Sequence, residues 1–312
     1  MYDIIGDIHG HAEKLEGLLL QMGYVPDGCA YLAPTGRKAI FLGDLIDRGP
    51  GQMRVLEIVR QMVDSGNALC IMGNHEFNAI GWATPDPANA GQYLRPRSPK
   101  NLAQHAEFLK QVGQDSALHA ELIAWFKTLP PFLDLGGIRV THAWWDPERI
   151  AYIESRFWDA SGQSMCEEFL VDAYSKHSLA YEAMEGVCKG LELKLPAEGF
   201  FIDHEGHKRY DVRCRWWQND AKSYRDYAIL GPSQSDCVPD KALPTGHPQP
   251  AIEGSPIFVG HYWLQGTPGP LGPKFACLDY SAAKRGPLVA YQWSGESELS
   301  EANFVEFGAA ES

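Results

Sequence analysis

Lys38-Ala39-Ile40-Phe41-Leu42-Gly43-Asp44-Leu45-Ile46-Asp47-Arg48-Gly49 reads as a short buried strand that stops at a glycine and opens into charged residues. The same event occurs on either side of it. An apolar run at 2–5 ends at Gly6 and opens into Asp7-Ile8-His9-Gly10, and a run at 68–72 ends at Gly73 and opens into Asn74-His75-Glu76. The intervening segments have helical spacing. Residues 12–22 place Leu15, Leu18, Leu19 and Met22 three to four apart, and 53–63 carry Val55, Leu56, Val59 and Val63 on one face. The resulting β-α-β-α-β order predicts a parallel sheet with right-handed crossovers. In such sheets ligands bind outside the carboxyl ends of the strands. Asp7, His9, Asp44, Asn74 and His75 are therefore expected to converge. Carboxylates, imidazoles and an amide oxygen in one place suit a metal ion better than an apolar ligand. Two later apolar runs end alike, in Val140-Thr141-His142-Ala143 and Val259-Gly260-His261-Tyr262.

Beyond residue 80, a stretch at 84–100 rich in Pro, Gly and Arg reads as a loop. Helices follow near 101–112 and 117–128, the second ended by Pro130 and Pro131. Runs at 132–135 and 138–141 flank Gly136-Gly137 and predict a hairpin. Residues 145–250 change character to mixed helix and coil, are rich in aromatics and end in a Pro/Gly run. Three strand-like runs then follow at 256–259, 275–278 and 288–293. The simplest organisation is one catalytic α/β domain, 1–144 with 251–312, interrupted by an insertion at 145–250.

Composition narrows the function classes. The chain has 312 residues, 45% hydrophobic and 21% charged, with a net charge of −13. An acidic surface repels nucleic-acid backbone and anionic lipid, so stable nucleic-acid binding is not expected. No apolar run approaches the roughly 20 residues of a membrane span. MYDIIGDIHG lacks the basic start and apolar centre of a signal peptide. Seven scattered cysteines without a CxxC pair argue against a disulfide framework or zinc knuckle and fit thiols in a reducing cytoplasm. Nothing in the sequence sets the oligomeric state.

GDIHG at 6–10, GDLIDRG at 43–49, GNHE at 73–76 and the two isolated histidines resemble the calcineurin-like metallophosphoesterases, in their phosphoprotein-phosphatase and symmetrical bis(5′-nucleosyl)-tetraphosphatase-like branch. The resemblance is strong over 1–80, rests on single histidines at 130–145 and 255–265, and hardly extends to 145–250. It implies a four-layer α-β-β-α sandwich with a long insertion. It also implies two divalent metal ions, manganese first and iron or zinc as alternatives. Asp7 and His9 would bind the first, Asp44 would bridge, and Asn74, His142 and His261 would complete the second. His75 would not be a ligand: held by Asp47, it would protonate the leaving oxygen. Arg48 would present a planar fork to two phosphate oxygens.

The branch usually needs a second phosphate-binding arginine. In Tyr210-Asp211-Val212-Arg213-Cys214-Arg215-Trp216-Trp217, strand alternation would put Arg213 and Arg215 on one face, and Arg215 is favoured, with Arg95 and Arg97 in reserve. The implied reaction is hydrolysis of a phosphomonoester, either phosphoprotein or a small phosphorylated metabolite, by direct attack of a metal-bridging hydroxide. The alternative is cleavage of a nucleoside polyphosphate such as diadenosine tetraphosphate. A third reading is a non-catalytic metal-containing binding module.

Trp263 stands where nucleases of the wider superfamily carry the second histidine of Gly-His-x-His. Asp47 and Glu76 stand where the tetraphosphatases often lack the aspartate and carry GNHD. The aromatic residues of 200–227 admit two readings, a platform that stacks a nucleobase or, favoured, the insertion's own small core. His105, His119, His177, His204, His207 and His247 sit in no motif and are expected at the surface.

Overall fold

The apolar runs at the start of the chain become adjacent parallel strands in a computed structural model, which describes residues 1–196, 199–202, 208–230, 238–248 and 252–308. β1 (Tyr2–Ile5) leads to α1 (Ala12–Gln21). A short hairpin of β2 (Val25–Asp27) and β3 (Ala30–Leu32) precedes β4 (Lys38–Phe41), α2 (Gln52–Asp64) and β5 (Ala68–Cys70). β1 pairs parallel with β4, and β4 with β5, as the β-α-β-α-β reading requires. Next come α3 (Asn74–Ala83), α4 (Pro99–Val112), α5 (Ala117–Phe126), the antiparallel pair β6 (Phe132–Asp134) and β7 (Arg139–Thr141), then α6 (Pro147–Arg156), α7 (Glu167–Tyr174) and α8 (Leu179–Lys189).

The chain divides into two compact units, 1–189 with 254–312, and 190–253. The smaller holds β8 (Glu192–Lys194), β9 (Phe201–Ile202), β10 (Lys208–Arg209), β11 (Asp211–Arg213) and α9 (Tyr224–Tyr227). There β8 pairs with β11 and β9 with β10. Trp216 and Tyr227 are buried in it, whereas Phe200 and Tyr210 are exposed, so only part of the aromatic cluster serves as its core. The separate unit begins at 190 rather than at the 145 read from composition. Helices α6 to α8 stay with the larger unit, because the Ala143 N–H donates to Val187 O at 2.8 Å and Met184, Val187 and Cys188 are buried.

The larger unit closes with β12 (Ile257–Val259), β13 (Phe275–Cys277), β14 (Leu288–Trp293) and β15 (Phe304–Phe307). Its strands form two sheets, β15-β14-β1-β4-β5 and β13-β12-β7-β6. Ile4, Ile40, Ile71 and Tyr291 of the first share one core with Val140, Phe258 and Ala276 of the second, so the sheets pack face to face. Leu15, Leu18 and Leu19 of α1, and Val55, Leu56 and Val59 of α2, are buried along one face of each helix. This is the α-β-β-α sandwich expected.

One element was not visible as a helix beforehand. α3 buries His75, Glu76, Phe77, Ala79, Ile80, Gly81 and Trp82, so it shows no apolar stripe of helical period. α4 starts two residues earlier than read, because Pro99 takes the first helical turn and Ser98 caps it by accepting the Asn101 N–H.

Phe258 is fully buried, and its ring meets that of Tyr291 from the opposite sheet at 5.0 Å. Phe258→Ala is expected to lower stability by about 3–5 kcal/mol, measured by chemical denaturation. A loss under about 1 kcal/mol would mean the sheet interface tolerates the cavity.

Candidate functional site

Every motif loop leaves the carboxyl end of a strand. Asp7 and His9 follow β1; Asp44, Asp47 and Arg48 follow β4; Asn74 and His75 open α3 after β5; His142 follows β7 and His261 follows β12. The backbone there is strained. Of nine described non-glycine residues with positive φ, six are His9, Asp44, Asp47, Arg48, His261 and Trp263. Two glycines make room for carboxylates. A Cβ on Gly73 would lie 2.3 Å from Asp44 Oδ1, and one on Gly260 would lie 2.0 Å from Asp7 Oδ1.

Asp44 is the centre of the cluster. Its Oδ2 lies 3.4 Å from His142 Nε2, 3.6 Å from His9 Nε2 and 3.8 Å from His75 Nε2. Two triplets bring possible ligand atoms within 4.8 Å of one another, His9–Asp44–His75 and Asp44–His142–His261, and Asp44 belongs to both. Asn74 Oδ1 lies 2.8 Å from His261 Nδ1 and 3.2 Å from His142 Nε2. Asp7 is in neither triplet; its Oδ2 accepts the His261 N–H at 3.0 Å, which ties the end of β1 to the end of β12.

Carbonyl acceptors fix the tautomers. His9 Nδ1 donates to Ile46 O at 3.0 Å and His142 Nδ1 to Leu42 O at 2.7 Å, which turns each Nε2 toward Asp44. Burial and the neighbouring His75 push the His9 pKa down to about 3, leaving its imidazole neutral. Burial opposes charge on His142 as well, but the Asp44 and Asp7 carboxylates outweigh it and push its pKa up to about 10. Burial also works against the Asp44 carboxylate, and the imidazoles around it hold it well below the ordinary range. Asp7 goes the other way: burial and the adjacent Asp279 and Asp44 carboxylates raise it well above.

These residues fit a divalent cation. Asp7 Oδ1 and His9 Nε2 are buried with no hydrogen-bond partner among the described residues. The donor set of carboxylate, imidazole and amide oxygen suits Mn²⁺, Fe²⁺ or Zn²⁺.

Beside the cluster, His75 Nδ1 meets Asp47 Oδ2 at 2.5 Å. Burial lowers the His75 pKa, but Asp44 and Asp47 more than offset it and leave it above the ordinary value. Arg48 is exposed, with its guanidinium 4.4 Å over the Trp263 ring; Lys284 Nζ also lies 4.4 Å from that ring's centroid. Stacking occupies the guanidinium face and leaves its N–H edges available to an anion. Arg215 lies beyond the end of β11, but an antiparallel bridge from Cys214 to Ala228 continues the alternation: Val212, Cys214 and Trp216 are buried, Arg213 is exposed and lies 3.8 Å from Glu192, and Arg215 is half-buried, its backbone N–H donating to Tyr227 O at 2.7 Å. Arg97 is engaged with Tyr93 and Asp115, and Arg95 with Asn101 and Gln104.

Three residues at the site were given no role there by the sequence reading: Glu76, Asp279 and His105. Glu76 is fully buried and accepts the N–H groups of Asp44 and Leu45 at 2.8 Å and of Gly73 at 3.0 Å. Asp279 accepts the N–H groups of Trp263 and Ser281. It follows β13, so the rule that found the other carboxylates, a polar residue just past a strand end, would have found it. His105 and His119 were expected at the surface and are buried, at 0% and 2% exposure. His105 Nδ1 lies 2.8 Å from Asp47 Oδ1. His177 is exposed and His247 half-buried, while His204 and His207 lie outside the described residues.

The family model for calcineurin-like phosphoesterases matches residues 2–195. The asymmetrical bis(5′-nucleosyl)-tetraphosphatase PrpE of Oceanobacillus iheyensis is 44% identical over 73 residues, 23% of this chain and 29% of that protein. The enzyme of the same name from Anoxybacillus flavithermus is 43% identical over 75 residues, 24% of this chain and 31% of that protein. The matched stretch therefore spans less than a third of either relative. Among solved structures, a protein serine/threonine phosphatase from Saccharomyces cerevisiae aligns with a TM-score of 0.48 at 13% identity, over 100% of this chain and 80% of that one. A cold-active protein-tyrosine phosphatase from a Shewanella species aligns at 0.47 and 16%, over 93% and 75%. With one family model covering more than half of its length, the chain belongs to the calcineurin-like phosphoesterases.

Proposed function

We propose that the chain hydrolyses phosphomonoesters with two divalent metal ions, manganese first among the candidates, held by Asp7, His9, Asp44, Asn74, His142 and His261. The observation that carries this reading is the position of Asp44 Oδ2, within 3.4–3.8 Å of three imidazole Nε2 atoms and common to both candidate ligand groups. Divalent ions bound there supply neutralisation of phosphoryl charge and a water made nucleophilic near neutral pH.

The chain's own residues do the rest. His75 takes part as proton donor rather than as ligand: Asp47 holds Nδ1, so Nε2 is the end that faces the cluster and gives its proton to the leaving oxygen. Arg48, stacked on Trp263, offers two N–H groups to phosphoryl oxygens. Six free thiols among the described residues agree with a reducing compartment, and no helix among those residues is long and apolar enough to cross a membrane.

A second reading has its own support. Relatives that match over 73 and 75 residues are named asymmetrical bis(5′-nucleosyl)-tetraphosphatases, which makes a nucleoside polyphosphate the alternative substrate. Chelation should abolish hydrolysis of p-nitrophenyl phosphate, and Mn²⁺ should restore it. Phosphopeptides and sugar phosphates should then turn over faster than diadenosine tetraphosphate. Preferential conversion of the dinucleotide, followed by product analysis for AMP with ATP or for two ADP, would select the second reading.

Two variants probe the assigned roles. His75→Asn should cut kcat by about 10²–10⁴ with metal content intact, and more for phenyl than for p-nitrophenyl phosphate. Equal losses on both esters would remove the proton-donor role. Gly260→Ala puts a methyl group where Asp7 Oδ1 now sits. Metal content by elemental analysis should fall while the far-UV circular dichroism is unchanged; full metal loading would show that Asp7 is not a ligand.

A further inference from the structure

We propose that His105 is a positioning residue for the proton donor, gripping the far oxygen of Asp47 so that the near one stays on His75. This deepens the reading of His75 as proton donor and rests on it. His105 lies on α4, outside the three glycine-bounded motifs, and 58 residues along the chain from Asp47.

Asp47 is 1% exposed, and each of its oxygens meets one imidazole: Oδ2 meets His75 Nδ1 at 2.5 Å and Oδ1 meets His105 Nδ1 at 2.8 Å. Its backbone N–H donates to Gln52 Oε1 at 2.7 Å. A carboxylate turns easily about its last torsion, because that torsion has broad minima. Held by His75 alone, Asp47 could swing its plane and carry the His75 ring with it. A donor on Oδ1 removes that freedom. Burial and the imidazoles act in opposite directions on Asp47, and the imidazoles prevail, holding it below the ordinary carboxylate range. An ionised carboxylate only accepts, so the hydrogen in the 2.8 Å contact belongs to His105 Nδ1.

His105 is itself held. It is fully buried, stacks on Phe108 at 4.9 Å and meets the edge of Trp82 at 5.8 Å. Its Nε2 has no hydrogen-bond partner among the described residues, so Nδ1 is the atom through which it acts. An imidazole fixed by aromatic walls and presenting one donor to one buried oxygen orients a group; it does not touch the substrate.

The test uses the metal-loaded full chain. His105→Leu removes the donor. His105→Asn returns an N–H near the Nδ1 position, while His105→Gln carries its amide too far out. Expected for Leu and Gln is a 10- to 100-fold loss of kcat on phenyl phosphate, the range seen when a partner that orients an active group is lost. KM and metal content should not change, the loss on p-nitrophenyl phosphate should be smaller, and Asn should recover most of the rate. If Leu does not fold, the contrast between Asn and Gln carries the test. Equal losses on both esters, a fall in metal content, or Asn no better than Gln would overturn the proposal. His75→Asn is assayed in parallel. If it shows no leaving-group dependence, the proton-donor reading falls and takes this inference with it. If it shows the dependence and the His105 variants do not, only the inference falls.

Discussion

Two buried carboxylates exchanged between the loop after β4 and the start of α3 hold the site together. Glu76 accepts the N–H groups of Asp44 and Leu45, and Asp44 Oδ1 accepts the N–H of His75 at 2.9 Å. The amides at a helix N-terminus point outward with partial positive charge and suit carboxylates. The first turn of α3 therefore docks against the Asp44 loop, and the docking leaves Asp44 Oδ2 free to face the imidazoles. Burial, and after it the nearby Asp44 carboxylate, push the Glu76 pKa up to about 7.

The second dependence is on the meeting of two sheets. β1, β4 and β5 bring Asp7, His9, Asp44 and Asn74; β7 and β12 bring His142 and His261. Neither sheet alone assembles the donor set. The shared core of Ile4, Ile40, Val140, Phe258 and Tyr291 sets the separation of the sheets, and the bond from the His261 N–H to Asp7 Oδ2 sets their alignment at the site. The positive φ values at His9, Asp44 and His261 are local strain that this packing sustains. Chemistry that needs ligands fixed to within fractions of an ångström is served by such over-determined backbone.

Much of this was legible because motif and fold share one signal. A short apolar run ended by glycine marks both a strand and the edge where its side chains meet the solvent, so Asp7, His9, Asp44, Asn74 and His75 could be placed together from order alone. His142 and His261 followed by the same rule. Asp279 obeyed it too and was overlooked. The helix α3 was hidden because its residues are buried nearly all round, which erases the periodicity by which a helix is recognised. The smaller unit covers only part of the insertion read at 145–250: composition shifts at 145, but hydrogen bonds and apolar packing keep α6 to α8 with the larger unit until 189.

The sequence by itself determined the parallel strand order, the residues delivered to the strand ends and the chemical type of the site, because these depend on local apolar runs and on spacing within a few residues. Only the tertiary structure decided that both candidate ligand groups share Asp44, that Arg48 stacks on Trp263, and that Asp47 is held by a second imidazole from α4. A helix read from its period has a buried face, but the period does not say which distant carboxylate that face meets. His105 looked like an isolated histidine until the packing of α4 put it beside Asp47, because contacts between residues far apart in the chain are set by how whole elements pack.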